Sequence, residues 1–158
     1  MKKELKQEFT LRITRANKTQ MIVILYDMVL VYLKDSLEAF EKEDYSTYKW
    51  NIDRAKDCID ELIHSLHMEY EIAGILKGLY FFYKRELTSG GVQRDTDKVL
   101  SVMGMIQELK ESYEQIAAQD TSAPIMENTQ AVYAGLTYGK DSLSINLSDQ
   151  GTQRGFCV

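Results

Sequence analysis

Met21 to Leu33 reads Met-Ile-Val-Ile-Leu-Tyr-Asp-Met-Val-Leu-Val-Tyr-Leu, and Asp27 is its only charge. As a helix this stretch is apolar almost all the way round, whereas an ordinary surface helix keeps one apolar stripe and a polar opposite face. It falls short of the roughly 18 uncharged apolar residues of a membrane span. It therefore needs protein neighbours on more than one side. It is either the central helix of a bundle or the floor of a groove that another helix fills.

The rest of the chain favours helix. A single proline, Pro124, stands among 158 residues, and most of the nine glycines lie in expected turns or near the end. Long breaker-free stretches result. Net charge is -5, and Lys and Arg alternate with acids along the helical stretches, so no basic face for nucleic acid is visible. The first eight residues are mostly charged, unlike a secretory signal. Cys58 and Cys157 make no disulfide framework, and the reading is a cytoplasmic protein.

Residues 1–16 carry two patterns. Leu5, Phe9 and Ile13 recur at helical spacing, yet Phe9 to Arg15 also alternates like a strand. Such a segment is expected to be mobile or to take its shape from what it docks on. Asn17 and Gln20 form a capping-box pattern, which starts a helix over 18–40. One stripe of it is Ile22, Leu25, Val29, Leu33 and Phe40; beside it runs a second, Met21, Ile24, Met28 and Val31. A second helix is expected over 46–66, with Tyr45, Tyr48, Ile52, Ala55, Ile59, Leu62, Ile63 and Leu66 inward. A third spans 69–88, with Ile72, Ile75, Leu76, Leu79, Leu87 and either Phe82 or Tyr83 inward. Gly74 and Gly78, four apart, would let another helix approach closely, and Ser89-Gly90-Gly91 is expected to end this helix. A fourth runs from Asp95 or Thr96 to Ala118 with the seam Val99, Val102, Ile106, Leu109, Tyr113 and Ile116. Four long helices with short connections make an antiparallel up-down four-helix bundle. The fold class is thus all-α: a docking segment over 1–16, a bundle over 17–118 and a mobile extension over 119–158.

Chemistry is sparse. Glu61 and His64 give the Glu-x-x-His spacing of di-iron bundles, but no second copy of it occurs, and Glu61 lies off the inward stripe. Cys58 lacks an activating neighbour and reads as a packed thiol. No phosphate loop is present. No catalytic, cofactor or metal residue is assigned. A metalloenzyme built on Glu61, His64 and Cys58 remains the rival from another class, and a homo-oligomer using the surplus apolar surface is the third. Asp27 interrupts an apolar run, which suits a bond to a neighbouring helix or partner as well as plain exposure. The run Tyr80-Phe81-Phe82-Tyr83 wraps most of a turn, so one ring must leave the core; Tyr80 or Phe81 is the expected exposed anchor.

The capped start from Asn17 into Met21-Ile22-Val23-Ile24-Leu25-Tyr26-Asp27 resembles the first helix of the flagellin export chaperone family FliS. Leu79 to Leu87 resembles that family's Leu-Tyr-Asp-Phe…Arg-x-Leu helix, and Tyr113 stands where Trp is frequent. The likeness covers residues 9 to 118 in order. Phe81 replaces an acid, Met28 a small residue, and the N-terminal Asn-Pro-Tyr-type sequence is missing, with Phe9 and Ile13 standing in for its apolar residues.

The resemblance implies a cytoplasmic chaperone that binds the C-terminal region of flagellin, prevents premature polymerisation and helps deliver it to the flagellar export apparatus. An unstructured client can fold as amphipathic helices in an apolar groove. The groove residues expected here are Ile24, Met28, Val31 and Asp27 of the first long helix and Tyr80 and Phe81 of the third. Phe9 and Ile13 are expected to cover the groove when no client is present, with Tyr133 and Tyr138 as an alternative cover.

Overall fold

The capping box at Asn17 forms. Its side chain accepts the Gln20 amide at 2.8 Å, and the Gln20 side-chain oxygen accepts the Asn17 N–H at 3.0 Å. Two otherwise free helix-start donors are satisfied, and the chain runs as helix from there to Glu41. The computed structural model describes residues 1–126, and all regular structure among them is α-helical. The elements are α1 (Lys3–Arg15), α2 (Lys18–Glu41), α3 (Tyr45–His64), α4 (Glu71–Gln93) and α5 (Thr96–Gln119). Asp44 caps α3 through the Thr47 amide, and Asp95 caps α5 through that of Asp97.

Pairing closes a ring. α2 packs on α3 and on α5, α3 on α4, and α4 on α5, while α1 lies on α2. Inside the ring Tyr26, Val29 and Leu33 of α2 meet Tyr48, Ile52 and Ile59 of α3, Tyr80 and Leu87 of α4, and Val99, Val102 and Ile106 of α5. Of the second and fourth expected stripes, Tyr48, Ile52, Ala55, Ile59, Leu62, Val99, Val102 and Ile106 lie in this core, Ile63, Leu66, Leu109 and Tyr113 pack half-buried at its edge, and Ile116 is 53% exposed. The all-round apolar character of 21–33 has a physical cause: α2 faces the ring interior on one side and α1 on another.

Of their two patterns residues 3–15 take the helical one, because docking on α2 buries Phe9 to 4% exposure. An isolated helix this short is marginal in water, so tertiary contact settles the ambiguity. Three expectations need correction. Ser89-Gly90-Gly91 does not end the third long helix, which continues to Gln93 and stops at Arg94 in the left-handed conformation, φ 57°. Gly90 is needed for close approach instead: a Cβ there would stand 3.0 Å from the Asp95 carbonyl oxygen and 3.3 Å from Val99. Gly74 and Gly78 face open space, with nothing within 4 Å of a built Cβ. Finally, the buried stripe of α4 is Ala73, Leu76, Tyr80, Tyr83, Leu87 and Gly90, which leaves Ile72 and Ile75 more than half exposed. The expected extension, with Tyr133, Tyr138 and Cys157, lies outside the described residues from 127 onward.

Candidate functional site

The second stripe of α2 is where the surplus apolar surface gathers. Ile24 is buried, and Met21, Met28 and Val31 are half-buried beside it. Phe9, Leu5 and Ile13 of α1 pack onto this strip, and Ala16 closes the end. The sequence-expected residues Ile24, Met28, Val31, Phe9 and Ile13 thus come together in one satellite cluster, which Met28 joins to the ring core.

Asp27 sits at the edge of that strip, with 18% of its side chain exposed. Arg12 Nη2 of α1 donates to its Oδ2 at 2.6 Å, and Lys110 Nζ of α5 pairs with its Oδ1 at 2.8 Å. Lys110 also reaches Glu114 at 3.4 Å. The hydrogen bond to Asp27 holds the Lys110 ammonium above its ordinary pKa. Asp27 is therefore bonded to two neighbouring helices. Beyond Arg12 a cleft of about 390 Å³ opens between the end of α1, the start of α2 and the end of α5, lined by Arg15, Val23, Ile24, Glu114 and Ala117.

The aromatic part of the expected site separates. Tyr80 is not an exposed anchor: it is 1% exposed, and its hydroxyl lies 2.5 Å from that of Tyr26. Burial raises both hydroxyl pKa values, that of Tyr80 to about 12. Phe81 is 52% exposed beside a shallow recess formed with Lys84, Arg85, Thr88 and Val92. It stands on α4, which packs on α3 and α5 rather than on α2, so it does not join the Ile24 strip.

Arg12 and Lys110 are the residues of this site that periodicity did not single out. Both belong to mixed-charge faces, where spacing marks no partner. Arg12 lies three residues after Phe9, its guanidinium 5.3 Å from that ring's centroid; this one-turn spacing was the available signal. The residues of the rival metalloenzyme lie elsewhere. His64 and Glu61 are exposed and 4.0 Å apart, and among the described residues no group of three His, Cys, Asp or Glu side chains could hold a metal. Cys58 is buried, and burial pushes its thiol up to about 11, the opposite of activation.

The molecule is thus a helical ring with an apolar strip covered by the chain's own first helix. The family model described as flagellar protein FliS matches residues 1–120. The chain belongs to the FliS family. A relative is the flagellar secretion chaperone FliS of Bacillus subtilis (strain 168), 21% identical over 103 residues, which cover 65% of this chain and 77% of that protein. FliS is a chaperone family rather than an enzyme family. The matched span takes in α1 as well as the ring, so the covering helix belongs to the family domain. Among the described residues no helix is long and apolar enough to cross a membrane.

Proposed function

We propose that this chain is a cytoplasmic export chaperone that holds the C-terminal region of flagellin on the Ile24–Met28–Val31 strip of α2, and that α1 is the cover displaced by the client. One observation carries the reading. α1 buries Phe9 at 4% exposure against a strip that the ring does not itself enclose. Removing a thirteen-residue helix would bare a ready-made helical groove. Methionine suits such adaptable surfaces. The reading takes α2 to α5 as an antiparallel up-down bundle. The pairs Tyr48–Gly90, Lys56–Thr88 and Asp60–Lys84 support it, since positions rise on α3 as they fall on α4. Holding the client in this groove keeps flagellin from polymerising early and presents it to the export apparatus.

Calorimetric titration with a flagellin C-terminal peptide tests this. The full chain should bind, deletion of residues 1–16 should tighten binding, and Met28→Glu should abolish it with helical circular dichroism intact. Unchanged binding by Met28→Glu removes the groove from consideration, and equal or weaker binding after the deletion removes the cover.

A second reading rests on α4, where Phe81 and Val92 are at least half exposed and border one recess. This face suits a contact with a second copy of the chain or an outlying part of the client. Light scattering with and without the flagellin peptide separates the two, because a shared face loses self-association on client binding. Phe81→Glu should weaken whichever contact uses that face.

A further inference from the structure

Asp27 has a role that the apolar groove alone does not require. Its Oδ2 is held by Arg12 of the cover and its Oδ1 by Lys110 of the ring. When α1 leaves, Arg12 leaves with it, and Oδ2 loses its donor while Lys110 stays. A client lying on the same strip covers Asp27 again. A covered carboxylate oxygen without a donor is costly, and charge-assisted bonds are the strongest replacement. Glu114 lines the neighbouring cleft, so the rim left by the departing cover carries two acids and one lysine. The cover itself answers that rim with Arg12 and Arg15 in its last turn.

We propose, resting on the client-groove reading above, that Asp27 selects a client helix carrying Arg or Lys one turn beyond a large apolar anchor, the arrangement that Phe9 and Arg12 present from α1. The cover is then a stand-in for the client in charge as well as in shape. An acidic residue at that client position meets Asp27 and Glu114 and is rejected. The charge pair gives specificity where greasy contact discriminates little.

The test uses the full-length chain and a flagellin C-terminal peptide as probe, with each Lys and Arg of the peptide replaced singly by Gln. Arg12→Gln is the reference, because it has already cut the link between Asp27 and the cover. Adding Asp27→Asn to it should weaken binding of the unmodified peptide about tenfold, the scale of a close interfacial charge pair. One peptide cation should show the same loss when replaced, and no further loss against the Arg12→Gln/Asp27→Asn chain. A purely structural Asp27 cannot produce that dependence on a single peptide residue. If the two chains bind equally, or if Asp27→Asn acts independently of every peptide cation, the proposal falls and the groove reading stands. If the peptide binds neither the unaltered chain nor Arg12→Gln, both fall.

Discussion

The hydroxyls of Tyr26 and Tyr80 lie 2.5 Å apart in the core, joining α2 to α4, two helices that are not neighbours in the ring. Tyr26 also meets Tyr113 with ring centroids 5.7 Å apart, and Tyr80 meets Tyr83 at 6.4 Å. Apolar packing surrounds one polar link, and a polar link of this kind favours one arrangement of the helices over its near alternatives.

Removing both hydroxyls should cost less than the sum of removing each alone. Tyr80→Phe leaves the Tyr26 hydroxyl buried without its partner, a loss of about 1–3 kcal/mol. The double change Tyr26→Phe/Tyr80→Phe should cost clearly less than the sum of the single changes. Urea unfolding of the four proteins gives the coupling directly; strict additivity would show that the two hydroxyls do not act as a pair.

The same pair makes the fold sensitive to alkali. Burial holds both folded-state tyrosines above the ordinary value, Tyr80 at about 12, while an unfolded tyrosine titrates near about 10. Above that pH the unfolded chain gives up protons that the folded chain keeps, so stability is full below it and declines as pH rises toward the folded values. Tyr26→Phe/Tyr80→Phe should flatten this decline without abolishing it, because Tyr32, Tyr48, Tyr83 and Tyr113 are raised too. Unfolding free energies measured from pH 8 upward check the slope.

Much of this architecture is legible in the residues, for uneven reasons. The α3 and α5 stripes read well where an opposite polar face marks them, and Ile52, Ile59, Val99 and Val102 land in the core, while Ile116 at the end of α5 is exposed. α4 is harder to read. Ile72 and Ile75 look inward by composition, but Tyr80 takes the core beside Tyr83, since its phenol ring fills a wide space while its hydroxyl meets that of Tyr26. Hydropathy ranks isoleucine above tyrosine and so points to the wrong face. The α1 helix is ambiguous because its shape depends on α2. The Arg12–Asp27–Lys110 link joins three helices, and spacing within any one of them leaves no trace of it.

Three glycines separate close packing from mere helix propensity. Gly90→Ala would press its methyl group to 3.0 Å from the Asp95 carbonyl oxygen and should destabilise the fold. Gly74→Ala and Gly78→Ala meet nothing and should each stabilise it by about 0.5–1 kcal/mol, the usual gain inside a helix. Thermal unfolding should therefore show opposite signs. A stabilising Gly90→Ala would mean that α4 and α5 can part at little cost.

Phe9→Ala should release α1 and spare the ring. Phe9 is the most deeply buried large side chain that α1 lends to the α2 strip, and truncating a buried phenylalanine costs about 3–5 kcal/mol in a fixed core. A thirteen-residue helix with so few other anchors cannot absorb that loss, because isolated helices of this length are marginal. Arg12 would leave with it, and Asp27 would keep Lys110 alone. Hydrogen exchange should then lose protection over residues 3–15 while α2 to α5 keep theirs, and the urea midpoint of the ring should move little. Ile24 and Met28, newly bared, should raise the binding of an apolar dye. If protection falls together in α1 and the ring, α1 is an integral wall of the core and cannot serve as a removable cover.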